Sequence, residues 1–145
     1  MSETFEIHET LAYYVTHLYK DFLAHTSEQL QTLGLNFGSL PFIIYVGKNP
    51  GCTTADLIND LHMDWGYAQR SITKLVQDSF MTKEKQIKGT RAYNLNLTAK
   101  GKEAFETSHE VFFSWDNAQM IDLNEDERVH LLEMLKNIHM KKRIR

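Results

Sequence analysis

Two capped apolar segments stand back to back between Thr53 and Gln77, and few folds accept that pattern. Thr53 opens the first, with Asp56 three residues on in a weak version of the capping box. Leu57 and Leu61 lie on its inner face, with Ala55 and Ile58 expected to pack beside them. Asp64 is the candidate cap of the second segment, in which Ala68, Ile72, Leu75 and Val76 form the buried stripe. Tyr67, Gln69, Arg70, Thr73, Lys74 and Gln77 then point away from that core. Two helices joined by a short turn, the second polar and basic outside, describe a helix-turn-helix.

After Asp78-Ser79 the period changes. Met81 to Lys85 reads as a strand with few apolar positions, and Arg91 to Leu97 as its partner, because Tyr93, Leu95 and Leu97 alternate with Asn94 and Asn96. Lys88-Gly89-Thr90 forms the tip between them. A basic two-stranded hairpin placed directly after such a helix is a wing.

Long helices flank this lobe. Ile7, Leu11, Tyr14, Val15, Leu18 and Phe22 recur at three- and four-residue steps, predicting a helix from about Glu6 to Thr32 that ends at Gly34 as a left-handed cap. A short helix over about Gly38 to Gly47 and a tight turn at Asn49-Pro50-Gly51 follow. Beyond the wing, Thr98 caps a helix carrying Phe105, Phe112 and Trp115, and Asn124 with Glu127 opens a last helix bearing Val129, Leu132, Leu135 and Ile138. The expected fold is mainly α with a small β-hairpin wing.

Size and composition agree with one domain over residues 1–145. The 145 residues are 42% hydrophobic and 24% charged, ordinary globular usage. The longest apolar runs are of the kind Phe42 to Val46, too short to span a membrane. The acidic start, Met1 to Glu6, lacks the basic-then-apolar order of a signal peptide, and the single cysteine excludes an internal disulfide framework. A soluble cytoplasmic protein is expected. The net charge of −3 hides a strong segregation. From Gln69 to Lys102 eight cations face two anions, whereas residues 1–68 hold two cations and eight anions. Such a basic stretch is an electrostatic footprint for a polyanion.

From the Thr53 helix to Leu97-Thr98-Ala99-Lys100-Gly101, and with long helices at both ends, the chain resembles the MarR family of bacterial winged-helix regulators over nearly its whole length. Leu97-Thr98-x-Lys100-Gly101 matches the family's exit from the wing, and Arg91-Ala92 the basic end of its wing tip. The resemblance implies a homodimer with interleaved terminal helices, about 6–34 and 104–143, around winged helix-turn-helix lobes at about 38–102. It also implies transcriptional repression through double-stranded DNA. Three positions depart from the pattern: Gly89 replaces an acidic residue two positions before the wing arginine, Gly66-Tyr67 replace small hydroxyl residues, and Ser79 stands where glycine is usual.

In that frame the second helix of the motif enters the major groove. Gln69 and Arg70 are the candidate base readers, since an amide pairs with adenine and a guanidinium with guanine. Tyr67 would pack on a thymine methyl or hold a phosphate, and Lys74 would meet backbone. Thr53 and Thr54 would bind a phosphate through free amides at a helix N-terminus. Arg91 is the candidate for a narrow minor groove, with Lys83, Lys85 and Lys88 neutralising phosphates. A dimer would read a pseudo-palindrome with half-sites ~10 bp apart, centre to centre.

MarR-like proteins often sense a small aromatic or apolar effector between lobe and dimer helices. Tyr13, His17, Phe42, Tyr45 and Phe112 are the candidate lining here, among other aromatics such as Tyr14, Phe37, Phe113 and Trp115; core packing is the ordinary alternative. Cys52 lies before a helix N-terminus that would lower its pKa, yet no cation or second thiol accompanies it, so an inert turn cysteine is expected. His8, His17 and His25 are spaced by nine and eight residues and do not stack as ligands, so no metal and no cofactor is expected. No phosphate loop, nucleophile elbow or HExxH is present, which argues against an enzyme. The remaining rival is a winged-helix module that binds another protein and uses the fold as scaffold.

Overall fold

The structure is a computed structural model that describes residues 6–85 and 93–144. It divides into two compact units, Met1–Val111 and Phe112–Arg145.

The first unit begins with helix α1, Leu11–Gln31. The helix expected from Glu6 starts later, because Thr10 acts as its cap: the Thr10 hydroxyl accepts the Tyr13 amide at 3.1 Å and donates to the Ile7 carbonyl at 2.7 Å. Ile7–Glu9 form a separate 3-10 turn. At the other end Gly34 has φ +76°, and the amides of Gly34 and Leu35 reach back to the Gln31 and Leu30 carbonyls. That is a left-handed glycine closure, as its sequence predicts.

Helix α2, Leu40–Lys48, follows a 3-10 turn whose Ser39 amide is held by the Asn36 side chain at 3.1 Å. Leu40, Phe42, Ile43 and Val46 make it the centre of the core. Strand β1, Cys52–Thr53, then leads directly into helix α3, Thr54–Leu61. Helix α4, Trp65–Gln77, starts at Asp64, whose carboxylate accepts the Tyr67 amide at 2.9 Å. Strands β2, Met81–Lys85, and β3, Tyr93–Leu97, pair antiparallel with Lys83 opposite Leu95. Helix α5, Ala99–Gln119, starts at Thr98, whose hydroxyl accepts the Gly101 amide at 3.0 Å.

Two sequence expectations need correcting. Cys52 belongs to a strand rather than a turn: β1 pairs with β3 on the side away from β2, giving a three-stranded sheet in the order β1-β3-β2. Two residues are too few to show an alternating pattern, so only the backbone pairing reveals them. Ala55 is exposed instead of packing beside Leu57, whereas Leu61 and Val76, half-buried, pack against the core as expected. The wing tip at Lys88-Gly89-Thr90, together with Arg91, lies outside the described residues.

One core gathers these elements. Leu30 of α1, Phe42 and Ile43 of α2, Leu57 of α3, Ile72 of α4, Phe80 and Leu95 of the sheet region are at most 1% exposed. Burial of each such side chain contributes roughly 1.5–3 kcal/mol, enough to hold a short helix such as α3 that would not form alone.

The second unit holds the end of α5 and helix α6, Glu125–Ile144. The Asn124–Glu127 capping box is complete: each backbone amide bonds the other residue's side chain at 2.9 Å. Val129, Leu132, Leu135 and Ile138 of α6 remain 41–51% exposed, as do Leu11, Tyr14, Val15 and Leu18 of α1 at 45–55%. These stripes are not absorbed into the chain's own core. Among the described residues no helix is long and apolar enough to cross a membrane.

Candidate nucleic-acid interface

The outer face of α4 carries Gln69, Arg70, Thr73, Lys74 and Gln77 around one shallow, open depression. Their shared face follows from the burial of Ala68, Ile72 and Leu75 on the opposite side. Arg70 folds back over the first turn of its helix. A Cβ on Gly66 would lie 3.1 Å from the Arg70 guanidinium and 3.3 Å from the Asp64 carboxylate. The glycine that weakens helix propensity therefore leaves room for the guanidinium beside the cap. Lys74 pairs with Asp78 at 3.4 Å, one turn on, and both side chains are well exposed; such a pair is worth little and leaves the ammonium available.

A second depression, of about 240 Å³, lies where α3, α4 and the sheet meet. It brings together Thr53, Thr54, Gln69 and Lys83, four of the residues expected at the interface. Trp65 and Tyr93 join them, which sequence reasoning passed over. The available signal was a large aromatic at the first position of a helix, where the buried stripe has not begun. Lys83 lies 4.8 Å from the centre of the Tyr93 ring, a cation–π contact that holds its ammonium over the sheet. Lys85 is exposed at the end of β2. Lys88 and Arg91, expected at the wing tip, lie outside the described residues.

The α3 N-terminus differs from the expectation of free amides. The Thr53 amide donates to the Asp56 carboxylate at 3.2 Å, and the Asp56 amide to the Thr53 hydroxyl at 3.0 Å. This complete capping box satisfies both donors locally. Thr54 is buried, and its hydroxyl oxygen has no hydrogen-bond partner among the described residues. The Thr53 amide is thus engaged within the lobe, and the Thr54 hydroxyl faces inward.

Tyr67 is 44% exposed, away from the buried stripe of α4 as its spacing predicts. Its ring lies 6.1 Å from that of Phe42, and its hydroxyl lies near Gly38, 3.4 Å from where a Cβ would stand, an ordinary contact distance. It lines a cavity of about 190 Å³ with Gly34, Asn36, Ser39 and Ser71. The side chain leans toward the α1–α2 connection and shares this cavity with Lys74.

The effector candidates stand in different surroundings. Phe42 is wholly buried in the lobe core. Tyr45 donates its hydroxyl to the Asp60 carboxylate at 2.5 Å, and that bond raises the phenol's pKa above its ordinary value, with burial adding to it. Tyr13 and His17 contact each other on α1 with ring centres 4.1 Å apart, and the His17 ring nitrogen approaches the Tyr13 carbonyl at 2.8 Å. Phe112 belongs to the second unit. A cavity of about 550 Å³ in the first unit is lined by Val46, Gly47, Pro50, Asn96, Leu97, Lys102, Phe105 and Glu106, none of them an effector candidate.

Cys52 is buried, and burial, followed by the nearby Asp56 carboxylate, pushes its thiol up to about 11. The helix N-terminus was expected to act in the opposite direction; desolvation outweighs it. Among the described residues no three His, Cys, Asp or Glu side chains converge on a metal-sized site.

No family model matches the chain. It is 38% identical over 130 residues to the HTH-type transcriptional regulator BilQ of Clostridium symbiosum, covering 90% of each chain. The regulator of the same name from Clostridioides difficile is 29% identical over 138 residues, 95% of this chain and 91% of the relative. Among solved structures, a MarR transcriptional regulator from Methanosarcina mazei superposes with a TM-score of 0.79 at 20% identity, covering 97% of this chain and 94% of that one. A MarR family regulator from Listeria monocytogenes, solved in complex with a 26mer DNA, superposes with a TM-score of 0.78 at 16% identity, covering 92% and 89%.

Proposed function

The chain belongs to the MarR family of winged helix-turn-helix regulators and is a DNA-binding transcriptional regulator, and we propose that it acts as a homodimeric repressor of a pseudo-palindromic operator. The observation that carries this reading is the outer face of α4, where Gln69, Arg70, Thr73, Lys74 and Gln77 share one depression above a fully buried opposite face. An amide and a guanidinium on adjacent residues supply bidentate donors for base edges in the major groove. Lys83 and Lys85 on β2, with Lys88, meet the flanking phosphates, and Arg91 enters the minor groove; Lys88 and Arg91 lie outside the described residues. Tyr67, turned toward the α1–α2 connection, meets backbone, not bases. Thr53 and Thr54 serve the lobe's structure more than the DNA.

Dimerisation rests on the apolar stripes of α1 and α6, which the chain leaves exposed over Leu11 to Leu18 and Val129 to Ile138. A second copy covering them would bury an apolar area of the kind obligate homodimers use. Repression follows from occupancy of a promoter, in the cytoplasm where the chromosome lies. A small apolar effector that binds one spacing of the two lobes better than the other would relieve it.

Selection of bound duplexes from a random pool, followed by salt titration of the best sequence, tests this. An inverted repeat bound by a dimer well above random DNA is the expected result. Weak, sequence-blind binding that disappears with salt would overturn it and leave the protein-interaction scaffold as the better reading.

A further inference from the structure

The chain leaving the sheet is tied to the chain leaving α4. Thr98 donates its amide to the Phe80 carbonyl at 3.1 Å and its hydroxyl to the Ser79 carbonyl at 2.6 Å. Lys100 reaches back to donate its ammonium to the Asp78 carbonyl at 3.0 Å, and the same ammonium lies 4.2 Å from the centre of the Phe80 ring. Gly101 completes the joint, because the Phe80 carbonyl occupies the place where a Cβ would be.

Each part answers a local need. Asp78 ends α4, and the last carbonyls of a helix have no partner within it. A cation at that end satisfies one of them and faces the negative pole of the helix dipole. Ser79, with φ +68°, turns the chain so that consecutive carbonyls meet α5. From this joint α5 continues past the first unit to Gln119.

We propose that this joint fixes the angle between the recognition helix α4 and α5, and that Lys100 is a positioning residue for operator spacing. The inference rests on the homodimer reading above. With the joint intact, α4 moves with α5, so the separation of the two recognition helices is set by the dimer as a whole. Without it, α4 keeps its Asp64 cap and its buried stripe, but its angle to α5 varies and the dimer tolerates more than one half-site spacing. The Lys100 ammonium is engaged within the lobe, whereas Lys102, two residues on, has no ion pair among the described residues. The two lysines therefore separate positioning from simple charge.

The test compares wild type, Lys100→Met, Lys100→Arg and Lys102→Met on three duplexes: the selected operator, the same operator with its half-sites one base pair further apart, and a single half-site. Lys100→Met keeps the apolar stem over Phe80 and removes the charge and donor. Its preference for the correct spacing should fall by about threefold or more, with single-half-site affinity held; Lys100→Arg should restore the preference. Lys102→Met, a charge control outside the joint, should change all three affinities equally and leave the spacing preference intact. A full wild-type preference in Lys100→Met, or a uniform change like that of Lys102→Met, would overturn the joint. Sedimentation equilibrium of the wild type distinguishes the other failure. A monomer, or no preference for paired half-sites, would sink the homodimer reading and the joint with it; a dimer with intact preference and an unchanged Lys100→Met ratio sinks the joint alone.

Discussion

The ring of Phe105 occupies the space where a Cβ on Gly47 would stand, so α5 lies directly against the backbone of α2. Gly47→Ala adds a methyl that only a displaced ring can accommodate. Overpacking of this kind costs roughly 1–3 kcal/mol, against about 1 kcal/mol gained in helix propensity. The expected net result is a lower urea midpoint with an unchanged m-value. An unchanged or higher midpoint would mean that Phe105 swings aside freely.

Ser79 holds φ +68° at the end of α4, a conformation that suits glycine and strains a residue with a Cβ. Its bond to Thr98 uses the carbonyl alone and survives substitution. Ser79→Gly should therefore raise stability by up to ~1 kcal/mol, read as a shift in thermal midpoint. Gly51→Ala, at φ +79° before β1, should move it the other way. Equal shifts of the same sign would refute the argument.

Alkaline pH should weaken the fold through Cys52. Its thiol is held up from the ordinary 9.0 to about 11, so between those values the unfolded chain has lost a proton that the folded chain keeps. The stability this contributes is fully present below pH 9 and drains away as pH rises toward 11. Tyr45, raised by its bond to Asp60, acts in the same direction at higher pH. Denaturant midpoints across the window should fall less steeply for Cys52→Ala than for wild type; parallel curves would exclude the thiol.

Arg70 and Lys74 lie on the same face of α4 yet should behave differently. Arg70→Ala should weaken operator binding by roughly 1–3 kcal/mol and relax preference at one base pair per half-site. Lys74→Ala should weaken all sequences about equally and reduce the salt slope by about one. Retained discrimination in Arg70→Ala would remove that residue from base reading.

Capping was the most legible part of this fold, because a cap is a local contract between a side chain and an amide three residues away. Thr53 with Asp56, Asp64, Thr98, and Asn124 with Glu127 all stand at the helix starts where the sequence puts them. The segregated charge is a count along the chain, and the outer face of α4 was legible because helical period decides it. Strand β1 was not, because its two residues pair through backbone alone. Nor was the lean of Tyr67 toward the α1–α2 connection, a contact between residues far apart in sequence. Burial of Thr54 required the sheet that β1 completes, and a capping box at Thr53 does not announce whether the next hydroxyl faces water.

The suppressed thiol of Cys52 also bears on how this chain is handled at the bench. It is the single cysteine of the sequence, buried and almost wholly protonated at neutral pH. A maleimide dye added to the folded protein would pass it by. New cysteines can therefore be placed on exposed positions of α4 or α6 and labelled one at a time in the native background, without first removing Cys52.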